Sequence, residues 1–223
     1  MRLSKLEFQT LLDDNKLVIS LIGMSNIGKT FWSKKFEGEG FKRIGCDDLI
    51  EKKLALDLKK LGYAGIADIS RWMGQPYDEQ FYINQQKYLS LEKEVLSGIL
   101  TKIKNGNNQN IVIDTTGSIV HTGNNICDKL KKNTLVVYIE STKNIRDQMF
   151  DRYIKKPKPV VFGEIFFKKK HETCYQALER CYKELLEYRS DLYCKHADVI
   201  IPRKIIKEGM NSRDFIFLIK QYL

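Results

Sequence analysis

At 223 residues, 43% hydrophobic and 11% aromatic, the chain is long enough for one well-buried α/β domain and too short for two comfortable ones, and this composition excludes a disordered chain. Every apolar run falls well short of the roughly 20 residues of a membrane span, so no membrane partner is expected. The formal charge of +10 favours anionic partners, but the lysines are scattered in runs at 52–53, 59–60, 131–132, 155–156 and 168–170 that read as solvated helix faces, and with no basic-aromatic module nucleic acid is not an expected partner.

Residues 1–7 (M-R-L-S-K-L-E) carry an acidic residue early and no apolar core, so a signal peptide is not expected. Residues 4–15 read as a short amphipathic helix, and residues 17–22 (L-V-I-S-L-I) as a buried strand. Residues 23–30 then read G-M-S-N-I-G-K-T, which meets the phosphate-loop pattern G-x-x-x-x-G-K-[ST] at every fixed position; residues 31–36 suit a helix. Gly23 and Gly28 let the backbone curl so that successive N–H groups point at a polyphosphate, and the helix N-terminus adds positive potential. Lys29 can bridge β- and γ-phosphates, and the Thr30 hydroxyl can ligate magnesium. The expected nucleotide contacts are Gly23, Ser25, Asn26, Ile27, Gly28, Lys29, Thr30 and Phe31; the alternative is a chance match in a strand-to-helix turn.

A second strand is predicted over 41–46, ending at Asp47-Asp48. A carboxylate there can orient or deprotonate an acceptor hydroxyl, or it can merely cap the next helix; Asp47 is the choice for the chemical role. A mostly helical stretch follows over 48–105, broken around 62–65 and 74–76. Residues 110–114 (N-I-V-I-D) read as a buried strand between the turn at 106–108 and the turn at 115–117. Asp114, at its end, is placed for the magnesium shell. The hydroxyl-rich turn Thr115-Thr116-Gly117-Ser118 lets backbone approach a ligand closely, or is an ordinary strand-end turn. Further strands are predicted over 134–139 and 197–201, and helices over 142–153, 167–192 and 211–222.

Five short apolar strands separated by helices imply a parallel sheet covered on both faces, with ligands at the strands' carboxyl ends. That rule gathers the phosphate loop, Asp47-Asp48, residues 114–117, Glu140 and Pro202. The five cysteines (Cys46, Cys127, Cys174, Cys181 and Cys194) form no C-x-x-C pair, so neither zinc nor a disulfide framework is expected and a reducing cytoplasm fits.

The chain resembles the shikimate kinase family of P-loop small-molecule kinases over residues 17–201. The matches, in order, are residues 23–30, the segment Asp47-Asp48-Leu49-Ile50-Glu51 (like D-x-x-I-E), Gly65-Ile66-Ala67-Asp68-Ile69, and Arg189-Ser190-Asp191-Leu192-Tyr193 (like R-x-x-L-Y). The resemblance implies a three-layer α/β/α P-loop NTPase fold with a five-stranded parallel sheet in the order 2-3-1-4-5. It also implies a single domain over 1–223 with a helical acceptor-binding region at about 48–105 and a lid at about 153–167, and ATP and Mg2+ as cofactors. Arg189 inherits the role of binding a substrate carboxylate, Arg152 lies near the family's lid arginine, and Lys158-Pro159 stands where the family has Arg-Pro. Closure of such a lid excludes water and brings cations onto the developing charge, though a lysine lacks arginine's bidentate contact.

One departure falls on the magnesium side and two on the acceptor side. Gly45 stands at the first acid of the family's D-x-D, so the magnesium-side carboxylate passes to Asp114 or Asp48; Thr115-Thr116-Gly117 replaces a triple glycine, with Thr116 and Gly117 the expected acceptor contacts; and Tyr82 replaces an arginine. The expectation is therefore a kinase that moves a γ-phosphate to a hydroxyl of a small anionic metabolite other than shikimate, with Lys29, Asp47, Arg152 and Lys158 catalytic and Thr30, Asp48 and Asp114 on the metal. The alternatives are a nucleoside, nucleotide or nucleic-acid 5′-hydroxyl kinase, with Trp72, Tyr77, Phe81 and Tyr82 stacking on a base unless they pack the core, and an ATP-binding regulatory protein without catalysis. A monomer or dimer is expected.

Overall fold

A computed structural model describes residues 3–106 and 108–223, with Ile66 described by its backbone alone. Met1 and Arg2, Asn107 in the turn before the third strand, and the side chain of Ile66 in the third of the matched segments lie outside the described residues. Strands β1 (Val18–Ile22), β2 (Lys42–Gly45), β3 (Ile111–Asp114), β4 (Leu135–Glu140) and β5 (Val199–Pro202) form one parallel sheet in the order β2-β3-β1-β4-β5, as expected. β1 and β3 are buried along their whole length, which is why they read as continuous apolar runs rather than as an alternation.

Register brings the chemistry to one edge. Leu21 pairs with both Asp114 and Val137, and Gly45 also pairs with Asp114. The carboxyl ends of β1, β2 and β3 are thus level, so the three segments that follow them emerge side by side.

Helices α1 (Lys5–Asp13), α2 (Lys29–Glu37), α3 (Cys46–Lys60), α4 (Ile66–Met73), α5 (Phe81–Lys104), α6 (Asn124–Asn133), α7 (Lys143–Lys155), α8 (Cys174–His196) and α9 (Ser212–Gln221) cover the sheet. α1 begins in a capping box between Ser4 and Glu7 and buries Phe8. Its C-terminal end is tied to the sheet by Asn110, which accepts from Leu17 N at 2.9 Å and donates to Leu12 O at 3.0 Å. α2 lays Trp32 on Phe215 of α9, with ring centroids 4.1 Å apart. In α5 the buried residues recur at 81, 85, 88, 89, 92, 95, 96, 99, 100 and 103, the stripe of a helix facing the core. Two polar side chains, Gln85 and Glu92, stand on that stripe.

Two helix starts differ from the sequence reading, and one helix, α6, was not predicted. α3 begins at Cys46 rather than after Asp48, with Gly45 as its N-cap, so both aspartates lie in its first turn and neither is the cap. α8 begins at Cys174, not 167, because Thr173 and Gln176 form a capping box there; the chain before it is irregular. α6 carries only Ile126, Cys127 and Leu130 as buried apolar residues, too weak a stripe to stand out in the sequence. Among the described residues no helix is long and apolar enough to cross a membrane.

Candidate active site

The turn after β1 curls through three residues of positive φ before α2 begins. Gly23 has φ +140°, and a Cβ there would come 2.8 Å from the carbonyl oxygen of Ile139, so only glycine fits. Asn26 and Gly28 also have positive φ, at 62° and 116°. Lys29 opens α2 and folds back over the loop, its Nζ donating to Gly23 O at 2.8 Å and Met24 O at 2.9 Å. Burial pushes the Lys29 ammonium down to about 8, against the pull of Asp114 and Asp47. A buried cation held by two carbonyls of a glycine turn at the start of a helix is an arrangement that can receive a polyphosphate.

A cavity of about 340 Å³ opens in front of Lys29, lined also by Asp47, Asp114, Gly117, Lys158 and Arg189. Asp47 accepts from the Tyr88 hydroxyl at 3.2 Å. Burial raises its carboxyl above the ordinary value, with Lys29 pulling the other way. Across the cavity Arg43 donates to Asp114 Oδ2 and to Asp48 Oδ2, each at 2.8 Å. Asp114 is nearly buried while Asp48 is 53% exposed. Gly45 makes room for this cluster: a Cβ there would sit 2.2 Å from Asp48 Oδ2 and 2.8 Å from Arg43 Nη2.

The donor set can be compared with what Mg2+ requires. Thr30 and Asp114 offer hard oxygen donors around the same cavity, and a magnesium bound through one or two carboxylates plus phosphate oxygens and water needs no more. Among the described residues no group of three or more His, Cys, Asp or Glu side chains could hold a metal by itself. The residues therefore fit a magnesium that arrives with a nucleotide.

The turn after β3 closes a second wall. Thr115 and Thr116 are buried, and the Thr115 hydroxyl donates to Leu21 O at 2.7 Å. Gly117 lies so close to the phosphate loop that a Cβ would sit 2.8 Å from Ser25 Oγ and 3.2 Å from Ser25 N; its carbonyl accepts from the Tyr193 hydroxyl. Beneath the turn, the Glu92 carboxylate accepts from the hydroxyls of Thr116 and Ser118.

Arg189 reaches the cavity from α8. Its Nε donates to His121 Nε2 at 3.0 Å and its Nη2 to Val161 O at 2.6 Å, which leaves the Nη1 end toward Gly117. Burial and the neighbouring Arg189 push the His121 imidazole down to about 3, so it is neutral, and the accepting Nε2 puts its proton on Nδ1. The segment expected as a lid is seated on the molecule: Val160, Val161 and Phe162 are buried. Gln85 accepts from Phe162 N and Gly163 N at 3.1 and 3.0 Å and donates to Gly163 O at 3.2 Å.

The fold thus brings Ser25, Asn26, Gly28, Lys29, Thr30, Phe31, Asp47, Asp48, Asp114, Gly117, Lys158 and Arg189 around one cavity. Ile27 lies on the far side of the loop, in an adjoining cavity of about 810 Å³ shared with Phe31 and Arg152. Arg152 is exposed, hydrogen-bonded to Gln148 at 3.1 Å, and does not line the cavity of Lys29 and Asp47. Thr116 points its hydroxyl at Glu92 and away from that space. Of the aromatics weighed for base stacking, Trp72 and Phe81 are buried, Tyr77 and Tyr82 are exposed, and none lines the cavity.

Sequence reasoning passed over Arg43, Tyr88, Glu92 and His121. Two of these carried a signal. Glu92 interrupts an apolar helical stripe, and Arg43 shares a strand face with Gly45 two residues on, where the glycine leaves space for a long side chain.

No protein-family model and no curated protein matches the chain. Solved structures do. A shikimate kinase from Acinetobacter baumannii, solved in complex with shikimate, is 20% identical over 96% of this chain and 95% of that one, with a TM-score of 0.57. A shikimate kinase from Bacteroides thetaiotaomicron is 16% identical over 92% of this chain and 97% of that one, with a TM-score of 0.55. At these identities the likeness shows the fold, which is that of the shikimate kinases.

Proposed function

We propose that the chain is a phosphotransferase that moves the γ-phosphoryl group of ATP to a hydroxyl of a small metabolite other than shikimate. The observation that carries this reading is the placing of Lys29 and Asp47 on one cavity, a phosphate-binding cation on one side and a carboxylate of raised proton affinity on the other. In it, the loop amides and Lys29 hold the β- and γ-phosphates. Asp47, steadied by Tyr88, accepts the proton of the attacking hydroxyl. Lys158 on the seated segment faces the transferring group, and the free end of Arg189 holds an anionic group of the acceptor. Thr30 and Asp114 would hold magnesium, which when bound neutralises charge on the phosphates.

The acceptor wall departs from the shikimate kinase pattern: threonines replace two glycines of the turn, and Tyr82, in place of an arginine, points to solvent. This supports a different acceptor. The exposed tyrosines outside the cavity weigh against a base-stacking acceptor.

Incubation with a metabolite extract and ATP, followed by mass-spectrometric detection of new phosphorylated species, tests the reading. A product made by the wild type and lost about 100- to 10,000-fold in Lys29→Ala and Asp47→Asn is the expected result. Tight ATP binding with no phosphorylated product in the extract would sink it.

A further inference from the structure

Glu92 is fully buried on α5, yet it makes no use of solvent or of a contacting cation to offset that burial. Its two oxygens are taken by the hydroxyls of Thr116 and Ser118. Thr116 Oγ1 in turn accepts from Ser118 N at 3.1 Å and lies 3.1 Å from Ser118 Oγ. One carboxyl group thus closes both sides of the residue between them, Gly117. That residue is wedged against Ser25 of the phosphate loop and held from the other side by Tyr193. Burying a carboxyl is costly unless its hydrogen bonds are made, and here all of them go to the turn that walls the cavity.

We propose that Glu92 is a positioning residue for phosphoryl transfer: through Thr116 and Ser118 it fixes the turn after β3 against the phosphate loop, and so sets the acceptor wall without touching the acceptor. The assignment rests on the kinase reading above. It also gives Thr116 and Ser118 a reason: a glycine turn has no hydroxyls for a buried carboxyl to hold, whereas these two and Glu92 satisfy one another.

The charge state of Glu92 bears on the geometry. The ionised form accepts from both hydroxyls; the protonated form must donate from one oxygen and so reverses one of the bonds. Burial raises the carboxyl to about 7. The titratable and charged groups facing it are Cys46 and Asp47 from α3, Tyr88 from its own helix, Cys127 from α6, and Arg189 and Tyr193 from α8. Of these Arg189 is the cation, acting at longer range than the hydroxyls.

The test follows γ-labelled ATP in the presence of a metabolite extract, measuring label passed to metabolites against label released to water. A fluorescent ATP analogue reports nucleotide affinity. In Glu92→Ala the transfer-to-hydrolysis ratio is expected to fall about 10- to 100-fold at nucleotide affinity within about twofold of wild type. Should that variant fail to fold, Glu92→Gln decides. The amide cannot ionise, so its ratio is expected to lose the part of the pH dependence between about pH 6 and pH 8 that the wild type owes to Glu92, and its profile to differ from the wild-type one. Variants that bind nucleotide and keep both the wild-type ratio and its pH profile overturn the assignment alone. A wild type that passes no label to any metabolite overturns the kinase reading, and this assignment with it.

Discussion

Arg43 Nη2 donates to Asp114 Oδ2 at 2.8 Å, and the pair lies almost wholly out of solvent, with 14% and 6% of the side chains exposed. The same guanidinium reaches Asp48 at 2.8 Å, but that carboxylate is 53% exposed. The two bonds look alike in length and differ in consequence. Removing Arg43 leaves a buried carboxylate uncompensated, which costs about 3 kcal/mol or more, whereas an exposed pair contributes about 0–1 kcal/mol. Urea denaturation of Arg43→Ala is therefore expected to show a large loss of stability and Asp48→Asn a small one. Equal losses would mean that Asp48, not Asp114, is the partner that matters.

The same contrast separates the two candidates for the magnesium side. Asp114 sits at the end of a buried strand and its carboxylate is held in place; Asp48 is on the open rim. Asp114→Asn is expected to raise the magnesium concentration needed for half-maximal turnover about 10- to 100-fold, and Asp48→Asn to change it little. A magnesium titration of the two variants reads this directly.

Lys29 carries a pH signature. Burial has lowered its ammonium to about 8 in the free cavity, and a bound polyphosphate favours the charged form, raising it again. ATP affinity is then full below about pH 8 and falls as pH rises past it, because binding must recover a proton. Titration with a fluorescent ATP analogue from about pH 7 to pH 9.5 checks the slope. An affinity flat across that interval would place the Lys29 proton elsewhere.

Glu92 makes a linkage of the same sign, on stability rather than on binding. Its carboxyl is raised from 4.5 to about 7 by burial, so the folded state binds the proton more tightly than the unfolded chain. The contribution is fully present below about pH 4.5 and is lost as pH rises through about 7, reaching about 3 kcal/mol at most. Glu92→Gln cannot ionise. Its stability relative to wild type is expected to improve between about pH 5 and pH 8 in urea unfolding, and a difference that does not change with pH would contradict the raised carboxyl.

Two glycines are constrained for different reasons. A methyl at Gly23 meets the Ile139 carbonyl at 2.8 Å on a backbone with φ +140°, so both sterics and conformation oppose it. A methyl at Gly117 meets Ser25 Oγ and N on an ordinary backbone, so the conflict is with the phosphate loop alone. Gly117→Ala is expected to cost about 1–3 kcal/mol by overpacking and to weaken nucleotide binding as the loop shifts; Gly23→Ala is expected to remove nucleotide binding. Melting curves with and without ATP distinguish the two.

Much of the donor side was legible because it is written in consecutive residues. The backbone between Gly23 and Thr30 forms the turn by itself, and its spacing survives whatever surrounds it. Asp47 and Asp114 were legible as strand-end residues, since a parallel sheet puts such residues on one edge. The true start of α3 was not, because Gly45 caps it without a side chain. The weak apolar stripe of α6 hid a whole helix.

What the sequence alone determined is the fold class and the phosphate-loop turn, which follow from local periodicity and from contiguous residues, while the strand order came with the family resemblance. What only the tertiary structure decided is which buried polar side chains meet around the cavity. Arg43 meets Asp114 across 71 positions of sequence, Arg189 meets His121 across 68, and Glu92 meets Thr116 across 24. No spacing rule connects them. Burial drives these groups together, since a polar side chain removed from water must find its hydrogen bonds wherever the packed chain offers them.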